Sequence, residues 1–301
     1  MLFKTIRIGT RKSPLALWQT QFVGKLLEKH NYFVKIISMQ TLGDKKTGVP
    51  LPAIGAKGVF TIELEDALRK NIIDLAVHSA KDVQTDLPDD MALLGFTKRE
   101  IAHDVLISHK KGIEIENKSK KLCIGTSSAR RKALLNYYFP HVKIVEMRGN
   151  LQTRIRKMKE GKCDALILAG AGVKRLGFDN MVVKKFALGK WLPAPGQGAL
   201  AIECLKEKSA GFDNIREIIN HKPTEFCVIA ERTFLEKVGG GCSKPFFCLG
   251  TIKKGIISLS GGFLNPEGDR MVKENISGSL SKAEWLGERL GEMIRKITGT
   301  I

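Results

Sequence analysis

TIRIGTRKSPLALWQTQ, residues 5–21, is the stretch on which the fold turns. Thr5 to Gly9 alternates as a β-strand. Ser13-Pro14 then opens a helix. Serine is a preferred N-cap, and proline suits the first helical position, where its missing N–H has no partner to lose. Leu15, Trp18, Phe22 and Leu26 recur at helical spacing and predict the helix's apolar face. A strand that passes through a short polar turn into a helix is the unit of an α/β sheet.

The unit recurs further along. Leu122 to Gly125 reads as a strand, and Ser127 or Ser128 caps a helix running to about Tyr138. Ile8-Gly9-Thr10 matches Ile124-Gly125-Thr126. Asp74-Leu75-Ala76-Val77 and Asp164-Ala165-Leu166-Ile167 are strands that end in small residues. The expectation is two α/β domains of similar plan. Gly43 to Gly58 is a long loop with four glycines, two prolines and three lysines, the composition of a lid or binding loop. Pro193 to Gly198 is a clear break before another strand. A helix near Thr224 to Val238 is followed by two or three strands across Phe246 to Ser277. Turns are expected at Gly261-Gly262 and Asn265-Pro266, and a last helix from about Ser281 to Lys296. That order predicts a small C-terminal α+β domain.

A chain of 301 residues is long enough for two or three domains. Its longest apolar runs are too short to span a bilayer, and the charged N-terminus does not read as an export signal. Six cysteines without a C-x-x-C pair or zinc spacing fit a reduced, cytoplasmic protein with no metal site. Fifty Lys+Arg against 31 Asp+Glu give a net charge of +19. Two explanations compete: a nucleic-acid surface, or a pocket for a polyanionic small molecule. No aromatic-rich base-stacking motif accompanies the basic stretches, which disfavours nucleic acid.

The arginines carry the chemistry. Arg11 stands just before the first helix. Arg130 and Arg131 lie in the first turn of another, and Arg148 directly precedes the helix bearing Arg154. A helix N-terminus is partly positive, so cations there need a compensating anion. In open α/β sheets ligands sit beyond the carboxyl ends of strands. Arg11, Lys81-Asp82, Arg130-Arg131, Arg148 and Arg175 all follow predicted strands and are expected around one cleft. Asp82 is an acid among cations. It reads either as a salt-bridge partner or as a carboxylate that steadies a cation or moves a proton. Cys242, in VGGGCSKPFF (238–247), reads either as a reactive thiol on an irregular loop or as a small residue in a tight turn.

Eight blocks then carry a resemblance. GTRKSPLALWQTQ (9–21), KGVFTIELEDAL (57–68), HSAKDV (78–83), GTSSARR (125–131), RGNLQTR (148–154), AGAGVKRLG (169–177), PAPGQGALAIEC (193–204) and GGGCSKP (239–245) resemble, in order, the hydroxymethylbilane synthase (porphobilinogen deaminase) family. The resemblance implies two periplasmic-binding-protein-like α/β lobes, residues 1–97 with 198–217 and residues 98–197, plus a C-terminal α+β domain, residues 218–301. It implies head-to-tail condensation of four porphobilinogen molecules into hydroxymethylbilane with loss of ammonia, by a cytoplasmic monomer. Cys242 becomes the thioether anchor of a dipyrromethane cofactor, and Asp82 the catalytic aspartate. Arg11, Ser13, Lys81, Thr126, Ser127, Arg130, Arg131, Arg148, Arg154 and Arg175 become cofactor- and substrate-binding residues. Lys57 and Phe60 belong to a lid, and Gln197 to a hinge-like crossover. Departures from the family's pattern (Ala80, Ala129, Leu205 and Lys244) remove no charged catalytic residue. The contrasting class is a two-lobed anion-binding module, which would need neither Asp82 nor Cys242.

Overall fold

The strand-to-helix turn at residue 13 forms as its residues dictate. Ser13 is the N-cap, its hydroxyl accepting from Ala16 N at 3.3 Å, and Pro14 is the first helical residue. The computed structural model describes residues 5–41, 61–240 and 244–299. The expected lid residues Lys57 and Phe60 and the expected anchor Cys242 lie outside the described residues. In chain order the strands are β1 (Thr5–Arg11), β2 (Phe33–Met39), β3 (Leu75–Ser79), β4 (Met91–Phe96), β5 (Asp104–Ile107), β6 (Cys123–Gly125), β7 (Lys143–Val145), β8 (Ala165–Ala169), β9 (Val182–Lys185), β10 (Leu200–Leu205), β11 (Phe246–Lys253), β12 (Ile256–Leu264) and β13 (Met271–Ser279). The α-helices are α1 (Pro14–Glu28), α2 (Ile62–Arg69), α3 (Ala129–Tyr138), α4 (Leu151–Lys159), α5 (Gly170–Arg175), α6 (Asp213–Ile219), α7 (Lys222–Lys237) and α8 (Ala283–Thr298).

The chain divides into two compact units, Met1–Glu100 with Ala199–Glu225, and Ile101–Gly198 with Phe226–Ile301. The first holds a five-stranded sheet of order β2-β1-β3-β10-β4, the second one of order β7-β6-β8-β5-β9. In each, two parallel pairings are followed by two antiparallel ones, so that one strand, β10 or β5, runs against the other four. The registers also agree. Ile8 and Gly9 face Leu75 and Ala76; Ile124 and Gly125 face Ala165 and Leu166. Asp74 N donates to Arg7 O while Asp74 Oδ2 accepts from Arg7 N, each at 2.8 Å; Asp164 exchanges the same two bonds with Cys123 at 2.8 and 2.9 Å. The short sequence echo is therefore a repeated unit. Its glycine has a packing cause: a Cβ at Gly9 would stand 2.3 Å from Ile73 Cδ1, and one at Gly125 2.7 Å from Leu166 Cδ2.

Both sheets are covered on two faces, so their central strands β3, β10, β8 and β5 are buried and mostly apolar. In the first lobe, α1 and α6 cover Ile8, Leu75, Val77 and Ile202, while α2 covers Ala76 through Leu64 and Leu68. In the second, α3 covers Leu106, Ile124 and Ile167, and α4 covers Ile107 and Leu166. Cys163 and Cys204 are buried in these layers, and burial pushes each thiol up to about 11, so both are unreactive.

Two local expectations are corrected. The buried side of α1 is Ala16, Gln19, Thr20, Val23, Gly24 and Leu27, not Leu15, Trp18, Phe22 and Leu26. Small residues let the helix lie close to the sheet. Trp18 and Phe22 stack with each other on the outer side, centroids 5.6 Å apart. Gly261 and Gly262 are not a turn but the interior of β12. A Cβ on Gly262 would stand 2.1 Å from Val272 O, so it is close strand packing that needs glycine. The three-stranded sheet β11-β12-β13 packs on α7 and α8 through Phe234, Leu259, Leu286 and Leu290. Phe247, Leu249 and Leu264 join the core around Trp191 and Ile124, which places this sheet in the same unit as the second lobe.

Candidate active site

In the first lobe β3 ends at Ser79 and the chain turns through one 3-10 turn, Ala80–Asp82. Asp82 is exposed there and lines a pocket with Arg11, Ser13, Gln19, His78 and Ser79. Two parts of its polar wall are held by side-chain bonds. Gln19 Nε2 donates to Ser79 Oγ at 2.8 Å. His78 Nε2 and Glu203 Oε2 are 2.9 Å apart, and both side chains are buried. Lys81 precedes Asp82 in the same turn and is half-buried. A larger surface cavity, lined by Arg69, Asp89, Asp90 and Lys206 among others, holds none of the expected residues. Its arginine is bonded to Asp90 through Nε and Nη2 at 2.7 and 3.0 Å.

In the second lobe the arginines of α3 find a partner that the sequence reading missed. Ser128, not Ser127, caps α3. Arg130 and Arg131, in its first turn, are buried, with 4% and 5% of their surface exposed. Their Nη2 atoms donate to the two oxygens of Asp104, the first residue of β5, at 2.8 and 2.7 Å. Trp191 Nε1 and Gln197 Nε2 complete the set, each at 2.9 Å. Burial alone would push the Asp104 carboxyl up, but the two guanidiniums hold it well below the usual carboxylate range. Burial lowers Arg130, and the charge of Arg131 adds to this against the pull of Asp104. The residue called a hinge, Gln197, is fully buried and also donates to Ala102 O at 2.6 Å. The one sequence signal for Asp104 was a charge opening the apolar run Val105-Leu106-Ile107.

The other expected residues, Arg175 apart, lie about the turn between β7 and α4. Arg148 Nε and Nη2 both reach Glu146 Oε1, at 2.9 and 2.8 Å, and Lys132 holds the other oxygen. Burial opposes it, yet these two cations keep Glu146 below its ordinary range. Ser127 Oγ donates to Met147 O at 3.0 Å, and Arg154 Nε to Gly149 O at 2.7 Å. Thr126, buried, accepts from Ser128 N at 3.3 Å. Arg175 Nη2 donates to Gly198 O at 2.8 Å. Arg11, Ser13, Lys81 and Asp82 thus belong to the first unit, and the remaining described site residues to the second. Among the described residues no group of three or more His, Cys, Asp or Glu could hold a metal ion.

This donor set suits carboxylates. Two buried guanidiniums share one aspartate, which leaves a net positive charge, and the Nε of each has no hydrogen-bond partner among the described residues. A further carboxylate at that point is what the charges call for, and a dipyrromethane, with its acetate and propionate groups, brings carboxylates. Two α/β lobes of one plan with cations at their strand ends define a class of α/β proteins whose ligands are received beyond the carboxyl ends of the strands. Residues 6–211 match the family model described as porphobilinogen deaminase, dipyromethane cofactor binding domain, and residues 225–296 match porphobilinogen deaminase, C-terminal domain. The porphobilinogen deaminase of Cytophaga hutchinsonii is 46% identical over 297 residues, 97% of this chain and 94% of its own. That of Desulfosudis oleivorans is 44% identical over 290 residues, 96% and 94%. That of Geobacter sulfurreducens is 42% identical over 296 residues, 98% and 92%. Among solved structures, the methionine binding protein MetQ aligns with a TM-score of 0.42 at 13% identity, over 71% of this chain and 88% of its own. The chain belongs to the porphobilinogen deaminase family. It is a transferase, a hydroxymethylbilane synthase of tetrapyrrole biosynthesis, built on the family's dipyrromethane cofactor domain.

Proposed function

We propose that Asp82 carries the chemistry and that the arginines at the strand ends hold the carboxylates of the growing chain. The observation that carries this is the shared pocket of Asp82, Arg11 and Ser13 at the end of β3. Each porphobilinogen brings an acetate and a propionate. Arg11 binds one such carboxylate beside Asp82 and places the pyrrole N–H against the aspartate. Loss of ammonia from the protonated aminomethyl group leaves a positive charge on the substrate, which the Asp82 carboxylate stabilises; the pyrrole carbon that forms the new bond then gives up its own proton to that carboxylate. Lys81 and Ser13 supply further donors at the same strand ends. In the second lobe Arg130, Arg131, Arg148, Arg154 and Arg175, with Thr126 and Ser127, bind the remaining carboxylates. Each charge-assisted hydrogen bond contributes about 1.5–3 kcal/mol.

Cys242 is the proposed attachment point, set between Gly239-Gly240-Gly241 and Pro245 in the sequence. Bound there by a thioether, the dipyrromethane supplies the pyrrole carbon to which the first substrate is joined. Intact mass spectrometry of protein from cells that make porphobilinogen is expected to show the polypeptide plus one dipyrrole, lost in Cys242→Ser. Bare polypeptide as the sole species would overturn the assignment. Lys57 and Phe60 are proposed to close over the substrate. The enzyme is further proposed to be a cytoplasmic monomer. Cys123, Cys163 and Cys204 are free thiols, and no helix among the described residues is long and apolar enough to cross a membrane. Light scattering on the eluted protein tests the monomer.

A further inference from the structure

Three consecutive carbonyls, those of Met147, Arg148 and Gly149, each accept a hydrogen bond from a side chain. Ser127 Oγ takes the first at 3.0 Å, Lys157 Nζ the second at 3.2 Å and Arg154 Nε the third at 2.7 Å. Asn150 then caps α4, its Oδ1 accepting from Thr153 N at 2.9 Å. A surface turn ordinarily leaves such carbonyls to water. Here cations or hydroxyls fix every peptide unit on either side of the Arg148 Cα. The Arg148 side chain is fixed as well: Glu146 Oε1 receives both Nε and Nη2, and Lys132 neutralises the other oxygen. Two cations share one carboxylate, so the cluster keeps a net positive charge and Arg148 remains attractive to an anion. Neither Lys157 nor Glu146 has a place among the carboxylate-binding residues. Lys157 spends its ammonium on a backbone oxygen while half-buried.

We propose that Lys157 and Glu146 are the positioning residues of Arg148, Lys157 holding its backbone and Glu146 aiming its guanidinium. The inference rests on the reading that Arg148 binds a carboxylate of the growing chain. Planar recognition of a carboxylate by arginine depends on the direction of the fork, so a small displacement costs binding. A lysine that merely stabilised α4 would matter equally with or without the arginine.

The test is a double-mutant cycle on the complete enzyme. Lys157→Met and Glu146→Gln are each expected to raise KM for porphobilinogen about tenfold with little change in Tm, and Lys157→Arg to restore most of it. In an Arg148→Ala background neither substitution is expected to have a further effect. Should that background turn over too slowly to measure, the same cycle is read in the number of substrate units retained on the protein by native mass spectrometry. Effects that add to Arg148→Ala, or a fall in Tm without a change in KM, would overturn the positioning role. Wild-type kinetics in Arg148→Ala alone would overturn the carboxylate reading, and the positioning role with it.

Discussion

The two five-stranded sheets share order, strand sense and register, and differ in where each places an acid. In the first lobe Leu200 opens the antiparallel return strand β10, opposite Ser79, the last residue of β3. In the second lobe the matching position, opposite Ala169 at the end of β8, is Asp104. Leu200 packs among apolar neighbours; Asp104 collects two arginines, a tryptophan and a glutamine. The positions beyond the parallel strand are reversed in character. Three residues past Ser79 comes Asp82, exposed; three past Ala169 comes Gly172, buried in α5. One scaffold thus supports two uses of a carboxylate. An acid facing solvent at a strand end is available to a substrate. An acid inside the strand ends holds cations in a fixed place.

Substitutions at the two acids break this comparison most directly. Asp82→Asn is expected to lower kcat by about 10²–10⁴ with Tm and cofactor mass unchanged. Ammonia release near the wild-type rate would remove Asp82 from its role. Asp104→Asn is expected to act in the opposite register, destabilising by about 3–5 kcal/mol because it strands two buried guanidiniums. Urea unfolding measures it, and a loss under about 1 kcal/mol would mean that the arginines are held by other groups.

A smaller effect sharpens the equivalence of the repeats. Asp74 is held below its ordinary range by its bonds to Arg7 although burial pushes it up, and Asp164 chiefly by Lys110, with Cys123 N–H assisting against burial. A lowered carboxyl contributes stability above its unfolded value of about 3.9 and loses it as pH falls through the folded value. Tm is therefore expected to hold down to about pH 5 and to fall below about pH 4. Asp74→Asn and Asp164→Asn should each flatten that fall. A fall of undiminished steepness in both variants would mean that the matching bonds do no matching work.

Much of this was legible because it is local. Ser13-Pro14 marks its helix by capping chemistry alone, and the Ile-Gly-Thr echo marks the repeat because each glycine meets the same kind of close neighbour. The acid at 82 stood out by its place after a strand. What was not legible depended on distant partners. Arg130 and Arg131, at a helix N-terminus, require an anion; local sequence could not reveal that Asp104, 26 and 27 residues away, supplies one. The spacing of α1 fits two faces, and only the closeness of the sheet selects the one with smaller residues. Gly261-Gly262 carries a turn's composition for a strand-packing reason. Nothing local marks Glu146 and Lys157 as partners of Arg148, because only the folded turn brings both to it.

The place of β10 has a consequence for synthesis. The strand sits between β3 and β4, although at least 100 residues of chain separate Phe96 from Leu200. Until Leu200–Leu205 leaves the ribosome, β3 and β4 have no neighbour on their facing edges, and an unpaired edge invites wrong pairing. The second sheet, by contrast, is complete once residue 185 has emerged. Of the two five-stranded sheets, the one whose first strands are translated first is therefore completed second, and the strand end that leads to Asp82 lacks its neighbour until the sheet that bears Asp104 is whole.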